Sequence, residues 1–475
     1  MIGRLAVRTL TAHPIRSLVL AAGFGAGVSV MAILLGVAEV VLDQAVSPAL
    51  VGGGDVLVRL SPQVPASAVM TGALIAPGVR ERVNVVSPWH TSRLFLVRDN
   101  GSTVQVDARG GVPSRERALG DNETTQVAGW QDLPADAAWT RMSPEDGLRD
   151  IDRFHRIPDA PAWSDSWAEW LYFNGRSGGV SRGAGETRFY LTFLAGPELA
   201  GGRRAAGTRL QLERNGRMES FSAGTMLDAT ALESAPDLTF GNNRVRLSGL
   251  RYVIDLDLRS ANGRRVRGQL WVEGAPGRIL PPIEITGARG WRSGYVVPVM
   301  NGRLGGRLDV DGTEVRLDDG VGYHDHNWGF WKGVSWQWGQ VQQGDLSFLY
   351  GRVFPPKEAA DPERLPAFLG ALGPNGPLGY ATNVRVSEEN DELGQPKTIA
   401  VEGHGPAIDL RMVFTVGTMV TTAMTDGPVA SGVNFLQMRG TYAVSGRAGG
   451  RQIRFEAPGS AETFRGPTAG SPHGK

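Results

Sequence analysis

Between Gly320 and Gly329 the chain reads GVGYHDHNWG, which sets His324, Asp325, His326, Asn327 and Trp328 side by side in a protein with only seven histidines. Three kinds of chemistry suit that grouping. Imidazole and carboxylate can pair in a buried, satisfied hydrogen-bond network that serves structure alone. A His-x-His pair on one strand face can also share a zinc or iron ion, for which Glu169 is the third ligand the sequence offers. Acid–base chemistry is the third: a His/Asp pair beside aromatic faces can deliver a proton to an alkene. The π-faces then stabilise the carbocation until water or an internal double bond quenches it. Aromatic residues crowd the neighbourhood, with Tyr323, Trp331, Trp336, Trp338 and Tyr350 near the cluster and Trp170 and Tyr172 beside Glu169. The expectation rests on the first and third readings, with no resident metal and no cofactor.

All three need the same local geometry. If Val321–Trp328 is extended, His324, His326 and Trp328 share one face while Tyr323, Asp325 and Asn327 share the other. Both faces carry polar atoms, so this strand should cross between two barrels or end at a polar pocket. The expected site gathers His324, Asp325, His326, Trp328 and Glu169 at one polar end of an otherwise apolar cavity at a domain junction. Past residue 50 the sequence favours strands throughout. Tyr252–Leu258 alternates apolar and polar, Asn262-Gly263 supplies a hairpin turn, and Arg267–Glu273 returns. SWAEWLYFNG at 166–175 leads into RFYLTFLAGP at 188–197, just as SWQWGQVQQG at 335–344 leads into LSFLYGRVFP at 346–355. Such an internal repeat predicts a mainly β protein with two tandem antiparallel β-barrels, 152–333 and 334–465, since closure removes exposed strand edges. Residues 51–151 form a β-containing connector, in which WQDLPADAAWTRMSPEDG reads as a linker, and 466–475 a disordered tail.

Ser17–Ala38 is 22 residues without a charge. At about 1.5 Å per residue it is long enough for a hydrocarbon core of about 30 Å. Arg4, Arg8 and Arg16 precede it and Glu39 and Asp43 follow. Residues 1–50 are therefore expected to form a single N-terminal transmembrane anchor, its N-terminus cytoplasmic and the bulk of the chain extracytoplasmic. With 49 basic against 48 acidic residues no global field argues for nucleic acid, and the absence of cysteine excludes disulfides and thiolate chemistry.

EWLYFNG at 169–175, WRSGYVVPVMNGRLGGRLDVDG at 291–312 and GVGYHDHNWGFWKGVSWQWGQVQ at 320–342 resemble the AttH/CrtC-like family, which includes carotenoid 1,2-hydratases (hydroxyneurosporene synthases) and lipocalin-like terpene cyclases. The resemblance covers about 152–465 and implies two tandem lipocalin-like barrels that hold a lipophilic, isoprenoid- or carotenoid-like molecule at their junction. It puts His326 and Trp328 on a His-x-Trp pair associated with hydratase activity, and Tyr350 on a downstream Tyr-x-Asp. Arg352 stands where that Asp would be, and a guanidinium cannot serve as an acid near neutral pH. Tyr323, Trp170, Tyr172, Trp336 and Trp338 are the expected ligand-binding aromatics. The first sixty residues resemble the first transmembrane helix and following segment of FtsX/MacB-type ABC-transporter permeases, which implies association with ABC transporter subunits. Two functional classes follow: an enzyme hydrating or cyclising an isoprenoid, and a non-catalytic lipocalin-like accessory protein of a transporter.

Overall fold

The computed structural model describes residues 80–177, 186–424 and 433–465, with gaps at a few positions between 100 and 142, and isolated positions before residue 80. The uncharged run 17–38 and the tail 466–475 lie outside the described residues. Among the residues described, no helix is long and apolar enough to cross a membrane. The chain divides into two compact units, residues 1–59 with 85–140, and residues 60–84 with 141–475. In the first, the strands Trp89–Val97 and Thr103–Gly111 form an antiparallel hairpin. Arg109 ties it to Glu116 in the short helix Pro113–Ala118 at 2.7 Å and to Asp121 beyond that helix at 2.9 Å.

Part of the stretch expected as linker is helical. Ser143 caps the helix Pro144–Ile151, its hydroxyl accepting from the Asp146 backbone N–H at 3.2 Å while the Asp146 carboxylate accepts from the Ser143 backbone. Pro144 stands in the first turn, where its missing N–H is harmless. Leu148 and Ile151 are buried, and Arg149 reaches Asp237 at 2.9 Å and the Leu247 carbonyl at 2.7 Å. These bonds hold the helix against the barrel and fix the position of the residue after it, Asp152.

The first barrel is closed. Trp167–Ser177, Thr187–Leu199, Arg203–Arg214, Arg217–Asp228, Arg251–Arg259, Arg265–Glu273, Arg292–Val310 and Gly320–Phe330 pair in that order and return to the start, all antiparallel. Alternation in the sequence becomes alternation in burial, so that Arg251–Arg259 buries every second side chain. Trp167, Phe173, Phe189, Leu191, Phe193 and Leu210 fill the interior, each such burial contributing about 1.5–3 kcal/mol. The second sheet has nine strands between Ser335 and Arg465, and its ends, Gly376–Ala381 and Asn383–Asn390, do not pair, so this barrel is nearly closed. Phe348, Tyr350, Phe414 and Tyr442 pack inside it. Both copies of the repeat fold as a strand followed by its antiparallel neighbour.

Gly320–Phe330, the histidine strand, is buried along both faces because one is turned into the first barrel and the other toward its partner barrel. Its neighbour makes room for Trp328 by having no side chain: a Cβ on Gly294 would lie 2.0 Å from the indole. Gly294→Ala should therefore lower stability by about 1–3 kcal/mol through overpacking. Chemical denaturation of wild type and variant measures it, and an unchanged midpoint would show that the indole moves aside freely.

Candidate functional site

The register across four strands sorts the site residues. Asp325, Tyr172, Thr192 and Arg209 are opposite one another in a row, and His326, Leu171, Phe193 and Thr208 form the next. Side chains alternate faces, so the row of Asp325 points out toward the Ser335–Arg465 barrel and the row of His326 points into the first barrel. The expected single cluster is in fact two, back to back on one strand.

On the inner face, His326 Nδ1 meets Asp152 Oδ1 at 3.1 Å and its Nε2 meets Glu169 Oε1 at 3.0 Å. Both nitrogens face carboxylate oxygens, which requires both to carry hydrogen. Burial alone would strip the charge from His326, but its bonds to Asp152 and Glu169 hold its pKa up at about 9. Burial works equally against Asp152 as an anion, yet His324 and His326 hold it down to about 2. Asp152 Oδ2 accepts from His324 Nε2 at 2.9 Å, and His324 Nδ1 bonds the Tyr172 carbonyl at 3.0 Å. Glu169 also accepts from the His155 backbone at 2.8 Å and ring at 2.7 Å, and its pKa is lowered by His155 and His326 against the effect of burial. His155 stacks on Trp328, which bonds Glu284 at 3.2 Å. His155 Nδ1, Glu169 Oε1 and His326 Nε2 lie within 4.8 Å of one another, the one grouping among the described residues spaced to hold a divalent ion. Both nitrogens face the same carboxylate oxygen, Glu169 Oε1, while Glu169 Oε2 is buried without a hydrogen-bond partner among the described residues.

The outer face differs in character. Asp325 accepts from Tyr323 at 2.9 Å and from the Asn327 amide at 2.8 Å. Tyr323 and Tyr295 hydroxyls are 2.6 Å apart, and Trp338 donates to Tyr295 at 3.0 Å. Across from them Tyr172 donates to Glu462 at 3.1 Å. These groups edge a cleft of about 190 Å³ between the two barrels, walled by Trp170, Tyr172, Tyr295, Trp336, Trp338 and Phe435. Burial pushes the Asp325 carboxyl well above the ordinary carboxylate range, with Glu462 pushing the same way and the bonds from Tyr323 and Asn327 only partly opposing. Burial raises Glu462 to about 7 against its bonds from Tyr172, Gln437 and Trp336. Two protonatable acids thus share an aromatic cleft, a pairing that suits proton delivery and return.

Of the residues expected to bind a ligand, Trp170, Tyr172, Trp336 and Trp338 line this cleft, while Tyr323 is behind it as the support of Asp325. Of those expected to be catalytic, only Asp325 lines it. His324, His326, Trp328 and Glu169 belong to the inner network, because strand alternation turns them away. Tyr350 is in the core of the second barrel beside Tyr442 and Gly339. Arg352, at the cleft wall, bonds the Pro362 carbonyl at 3.2 Å and Glu363 at 3.3 Å. Asp152, His155, Tyr295 and Glu462 escaped the sequence reading. Two buried imidazoles do demand acceptors, but nothing in the chain says which of 48 acidic residues supplies them.

Fold and site define a mainly β protein of closed and nearly closed antiparallel barrels with an acid-bearing apolar cleft between them. No protein-family model matches the chain, and no curated protein does. Among solved structures, an AttH-assigned protein from Nitrosomonas europaea aligns over 66% of this chain and 98% of its own at 12% identity, TM-score 0.38. CghA aligns over 70% of this chain and 97% of its own at 12% identity, TM-score 0.41, and CghA with Sch210972 over 68% and 96% at 12% identity, TM-score 0.39.

Proposed function

We propose that this chain is a membrane-anchored, extracytoplasmic protein of the AttH/CrtC-like kind that binds a lipophilic, isoprenoid- or carotenoid-like molecule between its barrels and hydrates or cyclises it. One observation carries the reading: Asp325 is a buried carboxyl at the wall of an aromatic cleft, raised by burial well above the ordinary carboxylate range, with a second raised acid, Glu462, across from it. In the hydration, the Asp325 O–H bond breaks as its proton forms a C–H bond with the π electrons of an alkene. The faces of Trp170, Trp336 and Trp338 stabilise the cation. Water adds to it, and the proton that water sheds passes to the Glu462 carboxylate, then back to Asp325. Net consumption is one alkene and one water. In cyclisation an internal double bond takes the place of water.

A second reading is favoured by Arg352, which occupies the position of the family's acid and is engaged with Glu363. On that reading the chain is a non-catalytic carrier beside an ABC transporter, as its N-terminal resemblance suggests. Binding is common to both and is tested first. All-trans-retinol should quench the tryptophan fluorescence of the full-length protein, and Thr192→Trp, which fills the cleft wall, should weaken binding at least tenfold with the melting temperature held. Equal binding by wild type and variant would show that the ligand does not sit in the cleft.

A further inference from the structure

We infer that the ligand carries an anionic group at one end, a carboxylate or a phosphate held by Arg209, with its apolar body running along the cleft to Asp325. The inference rests on the binding site proposed above and specifies what enters it.

Asp325, Tyr172, Thr192 and Arg209 are consecutive members of one row across neighbouring strands, with side chains on the same face. Strands are about 4.8 Å apart, so three steps separate the acid from the guanidinium by about 14 Å of cleft wall. The row beside it ends in Trp170, Leu194 and Gly207, apolar up to a position without a side chain next to Arg209. Arg209 lines the cleft yet is exposed, and among the described residues no carboxylate partners it. Two less exposed arginines, by contrast, do have carboxylate partners. Arg439 is paired with Glu213, and Arg188 with Glu186 at 2.8 Å. The two carboxyls that do line the cleft, Asp325 and Glu462, bond Tyr323, Asn327 and Tyr172, and neither is paired with Arg209. A guanidinium does not give up its proton and presents a planar fork suited to carboxylate or phosphate oxygens. A permanent cation at one end of an apolar cleft, with a buried acid three strands away, selects an amphipathic chain lying in one direction. Its anion is at Arg209 and its reactive unsaturation is at Asp325.

Three probes with one polyene body separate the possibilities: all-trans-retinoic acid, retinyl phosphate and all-trans-retinol, titrated into the full-length protein and read by tryptophan quenching. Retinoic acid or retinyl phosphate, or both, should bind about tenfold or more tighter than retinol, the amount expected for a charge-assisted hydrogen bond. Whichever binds tighter identifies the carboxylate or phosphate source. Arg209→Gln should erase that advantage, bringing the three probes to similar affinities, while Arg209→Lys should retain part of it. Arg209 is exposed, so neither change threatens folding. Equal binding of all three probes, or an advantage that survives Arg209→Gln, overturns the anion inference and leaves the cleft reading standing. No binding by any probe overturns both.

Discussion

Asp325→Asn should leave ligand binding within a few-fold of wild type and reduce turnover of a polyene substrate by about 10²–10⁴, the usual contribution of a positioned general acid. Asparagine matches the carboxyl in shape, and its Oδ1 can keep the 2.8 Å bond from Asn327 while its amide N–H donates to the Tyr323 hydroxyl, which bonds the wild-type carboxyl at 2.9 Å. What it cannot do is release a proton. The pH profile adds a second signature. Proton delivery needs Asp325 protonated, so the rate should fall as pH rises through its raised pKa, whereas proton return needs Glu462 ionised, so the rate should rise through about 7. The acids interact, and the two limbs belong to the pair. Glu462→Gln should abolish the limb near 7. A variant lacking Asp325 that turns substrate over at the wild-type rate would remove the acid from the mechanism. Absence of turnover in wild type across isoprenoid substrates, with binding intact, would favour the carrier reading.

The second large effect is on folding. Asp152→Asn should destabilise the barrel by about 3–5 kcal/mol, because it leaves His324 and His326 buried without the anion they share. The two shifted groups also define a pH window. The Asp152 pKa falls from 3.8 unfolded to about 2, so its contribution is complete above the unfolded value and is lost as pH drops through about 2. The His326 pKa rises from 6.5 to about 9, so its contribution is complete below 6.5 and is lost as pH climbs through about 9. Stability from this network is therefore greatest between about pH 4 and 6.5. The loss on the alkaline side is on the order of 3 kcal/mol. Equilibrium denaturation from pH 4 to 10 measures it: wild type should lose stability above pH 6.5, and Asp152→Asn should start lower with a flatter alkaline limb. Parallel curves displaced by a constant would mean that Asp152 acts through packing and not through charge.

Much of this architecture was legible in the chain because strand alternation is a local rule. The split of the histidine strand into an even and an odd face followed from period two alone, and the repeat around Trp167 and Trp336 marked two hairpins of similar kind. What the alternation could not supply was the partner on each face. Asp152 and His155 reach His326 from a segment about 170 residues earlier in the chain, while Glu462 comes to Tyr172 from 290 residues later. Contacts of that range leave no periodic trace, so the sequence alone gathers all the polar residues into one pocket. The short helix inside the linker stretch stays hidden for a different reason. Ser143, Pro144 and Asp146 form a complete helix start, but proline and aspartate also mark turns, and eight helical residues are too few for a convincing apolar stripe.

Because barrel-facing and cleft-facing residues alternate on Gly320–Phe330, tolerance to substitution there should follow the parity of the residue number. A saturation library over 323–328 would then separate into two phenotypes: losses at 324, 326 and 328 seen as low yield of folded protein, losses at 323 and 325 as normal yield with altered ligand response. Inserting one residue between Gly322 and Tyr323, with the pairing before it kept, would exchange the two sets, carrying imidazoles to the cleft and Asp325 into the barrel, and so should be harsher than any substitution in the library.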